Sequence, residues 1–342
     1  MLTTSPMKSS RPTMTTMARR PCLSLWITCL LCIPRASRAQ TSSVDTSPAA
    51  SAEIPAAPPP EEPPKPVPPP TPPPYSLPFQ LRAAAASTVI RSDTAFAFRR
   101  VADQGGTTIA SMLSGSYKVA PNLAVLLRVG VVSDSPPVGD AGFAFVNPAI
   151  GGTYVVNIAP ALRLALFLGL AFPVGMGGGN TPDKAVRSAV LAGIPARSAM
   201  DNAMFAVNYI TPFPGVDLAY VQGGLTAQAE ATVLQLFRVR GDNVDKDSAR
   251  TNFTTGLHIG YFIASAVSVG AEIRHQAWLS NGSLPDGDPR RDTTTFAVGP
   301  RLHFKIGEKA WFRPAVAYAR ALDNPMSDQK YNIVQLDLPI SL

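Results

Sequence analysis

Cysteine is missing from everything after residue 39: Cys22, Cys29 and Cys32 lie before that point and no other occurs. Disulfide, thiol-redox and cysteine–metal chemistry are thereby excluded for the rest of the chain. Long apolar runs are missing too. Between Tyr75 and Leu342 no stretch approaches the roughly 18 apolar residues that a membrane-spanning helix uses. Net charge is a third absence. Of the formal +7, six units sit in the first 39 residues, which hold six of the 30 basic side chains and none of the 23 acidic ones. The chain after residue 39 is close to neutral, so the basic isoelectric point marks no nucleic-acid-binding face, and no nucleic-acid partner is expected. Catalytic signatures are lacking as well: there is no phosphate loop, nucleophile elbow or zincin helix. No catalytic, cofactor or metal site is expected, and the chain does not read as an enzyme.

What is present begins with a leader. "MARRPCLSLWITCLLCIPRASRA" has a basic start at Arg19 and Arg20, an apolar centre from Leu23 to Ile33, and small residues at Ser37 and Ala39. That is the pattern of a secretory signal peptide over residues 1–39, with Met1 and Met17 both available as starts. Residues 40–76 are rich in Ser and Ala and then in Pro, ending in "PAAPPPEEPPKPVPPPTPPP". Such a segment cannot bury a core; it reads as a disordered, polyproline-II linker, a spacer or a ligand for a periplasmic or cell-wall partner. Residues 77–342 form the body.

The body is built on a period of two. In "ALRLALFLGLAF" (161–172) Leu162, Leu164, Leu166, Leu168 and Leu170 alternate with Arg163, Ala165, Phe167 and Gly169. A helix would carry Arg163 into the same apolar wall, whereas a strand separates the two sets onto opposite faces. The run is too short for a spanning helix and suits a tilted spanning strand of about 10 residues. The same alternation recurs around Leu257–Ile263, Val267–Arg274, Phe296–Ile306 and Val334–Leu342.

A soluble sandwich also alternates, so the connections carry the distinction. Linkers such as "APN" (120–122), "AP" (159–160), "AS" (264–265) and "GEK" (307–309) are tight. They take turns with long polar ones such as "SDSPPVGDAG", "RGDNVDKDSAR" and "SNGSLPDGDPRRD". Short turns at one end and long loops at the other predict an all-β, antiparallel up-and-down transmembrane barrel. This rule places strands near 80–99, 106–119, 123–134, 143–158, 161–174, 204–213, 224–239, 251–263, 266–279, 293–306, 310–321 and 331–342. The count is twelve, with ten or fourteen open because residues 176–222 combine helix-like composition with prolines. That stretch reads either as a loop with a short helix or as a segment folded into the barrel.

With "NPAIGGTYVV" (147–156) and the closing "YNIVQLDLPISL" (331–342), the chain resembles Gram-negative outer-membrane β-barrel proteins of the porin-like, solute-channel kind. The resemblance implies an outer-membrane location, contact with outer-membrane lipid, periplasmic termini, and a C-terminal strand read by the barrel-assembly machinery. It departs from the usual pattern in ending on Leu342 rather than an aromatic residue. Tyr117, Tyr154, Tyr261, Phe172, Phe304 and Phe312 are the candidates for the aromatic belts at the two membrane interfaces.

If the leucine faces meet lipid, the alternate positions line a lumen. They include Lys118, Arg128, Arg163, Arg238, Arg274, Arg301, Lys305 and Arg313, against Glu230, Glu272 and Asp337, with His258 and His303 among them. Placing Arg or Lys on the lipid face at the midplane costs roughly 2 to 4 kcal/mol, which supports the inward assignment. The cationic excess favours anions or organic acids, and the chain reads as a passive channel for small anionic or aromatic solutes. The alternative is a barrel closed by its own Arg–carboxylate pairs, structural or acting through its long loops. Inward Gly151, Gly169, Gly256, Gly260, Gly270 and Gly299 either make room for a neighbour or let the sheet curve. A lipase-like reading fails on spacing, because Ser280 lies five residues from His275 on the opposite face.

Overall fold

A computed structural model describes residues 74–241, 248–285 and 287–342. The leader and nearly all of the linker lie outside the described residues. The wall is made of β1 (Val89–Val101), β2 (Gln104–Ala120), β3 (Leu123–Ser135), β4 (Gly142–Phe145), β5 (Ala149–Ala159) and β6 (Leu162–Ala171). It continues with β7 (Tyr209–Gln222), β8 (Leu225–Arg238), β9 (Ala249–Ala264), β10 (Val267–Ser280) and β11 (Asp292–Leu302). The last segments are β12 (Phe304–Ile306), β13 (Ala310–Phe312), β14 (Ala315–Ala321) and β15 (Asn332–Ser341). Successive staves pair antiparallel, and β15 returns to β1 with Ile90 opposite Ile340 and Phe98 opposite Asn332. β4 and β5, β11 and β12, and β13 and β14 are each one stave in two pieces, so twelve staves close the barrel. Two of these breaks hold a proline, Pro148 and Pro314, which has no N–H to offer a ladder.

Two staves differ from the periodicity reading. The first begins at Val89 rather than near 80, because residues 74–88 leave the wall and run inside the barrel. The sixth is β7 at 209–222 rather than 204–213. Residues 202–205 form a helical turn, and the ladder from β7 to β8 lapses between Ile210 and Gly215, across Pro212 and Pro214, before resuming in register. The strict alternation of short and long connections also has an exception. β1 and β2 meet at the long-loop end through only Ala102 and Asp103, both with positive φ (47° and 65°), the backbone of a tight hairpin.

Outward positions are exposed and apolar along every stave, among them Leu127, Leu166, Leu168, Leu257, Ile259 and Val316. A closed sheet leaves no unpaired edge, and an apolar outer face needs lipid; together these make an outer-membrane type of barrel. Tyr117, Tyr154, Tyr261 and Phe304 are exposed within six residues of the tight turns and form one aromatic belt, whereas Phe172 and Phe312 are half-buried. Phe98, Phe143, Phe237 and Tyr318 supply the belt at the other end. Leu166→Arg, in mid-strand on the lipid face, is expected to destabilise the barrel by roughly 2 to 4 kcal/mol, measured by urea titration in lipid vesicles. An unchanged midpoint would remove that face from the membrane.

Candidate functional site

Two segments that are not wall occupy the lumen. The first, residues 74–88, starts and ends at the tight-turn end. Ser76 N donates to Thr226 Oγ1 (3.0 Å) near the β7–β8 turn, and Leu342 N donates to the Thr88 carbonyl (2.9 Å). Between them the chain rises to mid-barrel, where Phe79 N and Gln80 N donate to the Glu272 carboxylate. The inward glycines explain how a backbone fits there. A Cβ on Gly260 would stand 2.2 Å from Ser76 Oγ, and one on Gly256 would stand 2.5 Å from a Leu81 methyl. The glycines of β9 therefore form a cradle for this segment rather than a bend in the sheet. Gly260→Val is expected to unseat residues 75–88 with the barrel still closed. Limited proteolysis should then cut that segment in the variant and spare it in the parent; equal resistance would rule out the cradle.

The second segment descends from the long-loop end between β6 and β7. It carries α1 (Lys184–Ala196), capped by Asp183, whose side chain accepts from Val186 N (3.0 Å), and the short α2 (Asn202–Phe205). Between the helices Ser198 and Ala199 both take positive φ (51° and 53°), a left-handed backbone that costs non-glycine residues of the order of 1–2 kcal/mol each. This reversal brings Arg197 and Asp201 to the centre of the barrel. The long-loop half is consequently apolar inside: Val190, Met204 and Phe205 pack against Met112, Val132, Val146, Leu234 and small inward residues such as Ala97, Ala171 and Ala319. A segment folded into the barrel is one of the two readings of residues 176–222; that it fills the long-loop half with apolar side chains is not something the alternation shows.

The central polar layer follows from two pairs of wall carboxylates. Asp93 and Asp337 are direct cross-strand partners at the β1–β15 seam, and Asp217 and Glu230 are partners between β7 and β8. Like charges directly opposite repel, and burial multiplies the repulsion. In each pair an arginine from an internal segment supplies part of the counter-charge. Arg197 donates to Asp93 (2.8 Å) and to Asp201 (2.8 Å), while Arg82 approaches Asp217 (3.4 Å) and Glu230 (3.3 Å). Wall arginines complete the layer: Arg91 and Arg301 hold Asp337 (2.7 and 2.6 Å), Arg274 holds Glu272 (2.6 Å), and Arg128 chelates Asp201. The two internal segments meet where Gln80 Nε2 donates to the Arg197 carbonyl (2.7 Å).

A cavity of about 640 Å³ remains in the tight-turn half, lined by residues 74–87 and by inward residues of β1, β2, β3, β5, β6, β9, β13 and β15, with Arg313 between β13 and β14. A second of about 70 Å³ lies beyond it beside Met204, Phe213 and Leu234. The two share Gln80, Arg82, Leu126 and Arg128, so the Arg128–Asp201 pair stands at the constriction between them.

Of the residues singled out by periodicity, Lys118 and Lys305 are exposed beside tight turns. Arg128, Glu230, Glu272, Arg274, Arg301 and Asp337 belong to the ion-pair layer. Arg163 lies over the Tyr75 ring (5.6 Å), Arg313 over Trp311 (5.6 Å) and Arg238 over Tyr209 (5.9 Å). His258 Nε2 meets the Ser76 carbonyl (3.2 Å), with Nδ1 3.4 Å from Glu272 Oε1, and His303 Nε2 meets Ser268 Oγ (2.9 Å). His275 contacts Thr294 and Ser280 accepts from Thr251 N, so these two do not meet. Arg91 and Asp93 were missed although the alternation of β1 carries them; Arg82, Arg197 and Asp201 lie off the wall, where alternation says nothing.

No protein-family model matches the chain, and comparison with curated proteins finds no relative. Among solved structures, the KdgM porin in complex with disordered oligogalacturonate is 11% identical, with a TM-score of 0.43 over 74% of this chain and 99% of its own. The NanC porin is 10% identical, with a TM-score of 0.45 over 73% and 98%. An outer membrane channel from Pseudomonas putida F1 is 13% identical, with a TM-score of 0.48 over 77% and 98%. Similarity at this level says nothing of a solute.

Proposed function

We propose that the chain is an outer-membrane channel for small anionic or aromatic solutes, held shut in this state by its two internal segments. In this reading the tight turns and both ends of the barrel face the periplasm, and the C-terminal strand β15 is what the barrel-assembly machinery engages. The observation that carries the proposal is that part of the wall's counter-charge sits on the internal segments: Arg82 meets Asp217 and Glu230, and Arg197 meets Asp93, while wall Arg91 and Arg301 hold Asp337. A wall lined this way has two acceptable states, paired when the segments are seated and hydrated when water replaces them. The segments are not held alike. The loop packs on the apolar outer core, whereas residues 74–88 rest mainly on polar contacts with small clusters around Phe79 and Ala84. The N-terminal segment is therefore the first to leave.

One observation favours the second reading, a permanently closed barrel acting through its loops: the continuous apolar packing of the outer half. Planar-bilayer recording of refolded residues 40–342 under a salt gradient separates the two. Brief discrete openings with a reversal potential on the anion side support the channel. A folded, inserted chain that stays silent even when either internal segment is released by mutation overturns it in favour of the closed barrel.

A further inference from the structure

Among the described residues, the ion pairs inside the barrel match seven arginines to seven carboxylates, and Arg163 and Arg313 stand outside them. Arg82, Arg91, Arg99, Arg128, Arg197, Arg274 and Arg301 are set against an equal number of carboxylates, Asp93, Asp134, Asp201, Asp217, Glu230, Glu272 and Asp337. Arg163 and Arg313 line the 640 Å³ cavity and have no carboxylate partner among the described residues. Each lies over an aromatic ring instead, Tyr75 and Trp311, and Arg313 Nε is buried with no hydrogen-bond partner. An aromatic face offsets part of a guanidinium's desolvation but leaves its N–H edge unmet. Two such charges in one partly enclosed space lack their counter-ion.

We propose that this cavity binds an amphiphilic organic anion, a carboxylate on an aromatic or short alkyl body, entering from the tight-turn end. The carboxylate is met by Arg163 and Arg313, whose planar forks suit it in geometry and charge. The hydroxyl of Thr153 is a further donor, and Leu77, Val89 and Leu126 offer apolar surface for the body. The volume falls within the range of small-molecule pockets. A compact inorganic anion would leave that apolar surface unused. The site stands whether or not the barrel conducts, since it needs only the closed state.

The test is an equilibrium titration of residues 40–342 refolded in lipid nanodiscs with phenylacetate, and with 2-phenylethanol as its uncharged counterpart. Fluorescence of Trp311, which lines the cavity, is read in a Trp278→Phe background. Phenylacetate should give a saturable change, with phenylethanol at least about tenfold weaker. Arg163→Gln with Arg313→Gln should lower phenylacetate affinity at least about tenfold, and Arg163→Lys with Arg313→Lys should keep part of it. Because neither arginine has a carboxylate to strand, the Gln variant should still fold, checked by heat-modifiable mobility on gels. The proposal is overturned if phenylacetate does not saturate, if phenylethanol binds equally, or if the Gln variant binds as tightly as the parent.

Discussion

Arg197→Met should destabilise the folded barrel by about 3–5 kcal/mol, the usual cost of removing one partner from a buried ionic group, and should raise channel open probability in the same preparation. Arg197 is fully buried and holds two carboxylates at once, Asp93 in the wall and Asp201 on its own segment. Methionine fills the space of the stem and leaves Asp93 facing Asp337 across the seam, with Asp201 tied only to Arg128. The cheapest relief is to admit water, which requires the loop to lift. Asp93→Asn in the same chain should return most of the stability, because the amide keeps its bond from Gln335 as an acceptor and removes the repulsion. Urea titrations of the parent, both single variants and the double variant give the coupling directly. Additive single effects would show that Arg197 acts through packing alone.

Deleting residues 75–87 should have its largest effect on access. Phe79 covers Ala315 and Ala317 on the inner face of β14. The chain has no cysteine after residue 39, so Ala317→Cys provides one reporter thiol in residues 40–342. In the parent this position is 1% exposed, and a charged thiol reagent must wait for the segment to leave. If the seated segment is favoured by about 3 kcal/mol, the thiol is available roughly 1% of the time, and deletion should accelerate labelling on the order of a hundredfold. The barrel itself should survive, because Asp217, Glu230 and Glu272 gain water when Arg82 and the Phe79 and Gln80 amides depart. Labelling at the parent's rate would mean that the segment does not seal the lumen.

The wall was legible because one face of every stave meets lipid and the other does not, a contrast that a period of two records directly. Leu162 to Leu168 against Arg163 to Gly169 is enough to orient β6, and the tight turns then set the count. The occupants of the lumen were not legible, for a reason specific to barrels. Once inside, a segment such as 74–88 has wall and cavity around it and no lipid face, so it needs no periodicity, and Phe79, Leu81 and Arg82 look like the start of a strand. Alternation equally cannot say whether an inward arginine faces water, a carboxylate on the next stave or a carboxylate on a plug. The inward glycines held the clue: Gly256 and Gly260 sit on one strand at a spacing of four, on the same face, which is more empty space than curvature alone requires.

The seam also bears on timing. β1 and β15 are the two ends of the wall in sequence, so their pairing is the contact that closes the cylinder, and it sets Asp93 beside Asp337. Arg91 and Arg301 arrive with the wall itself, but Arg197 arrives only when the β6–β7 loop has already turned inward. Closure without the loop leaves Asp93 without Arg197 in the closing joint, so the joint is cheaper to reopen until the loop is home. The charges thus tie the seam to the loop: a cylinder that holds its loop is locked, and one without it is easier to open.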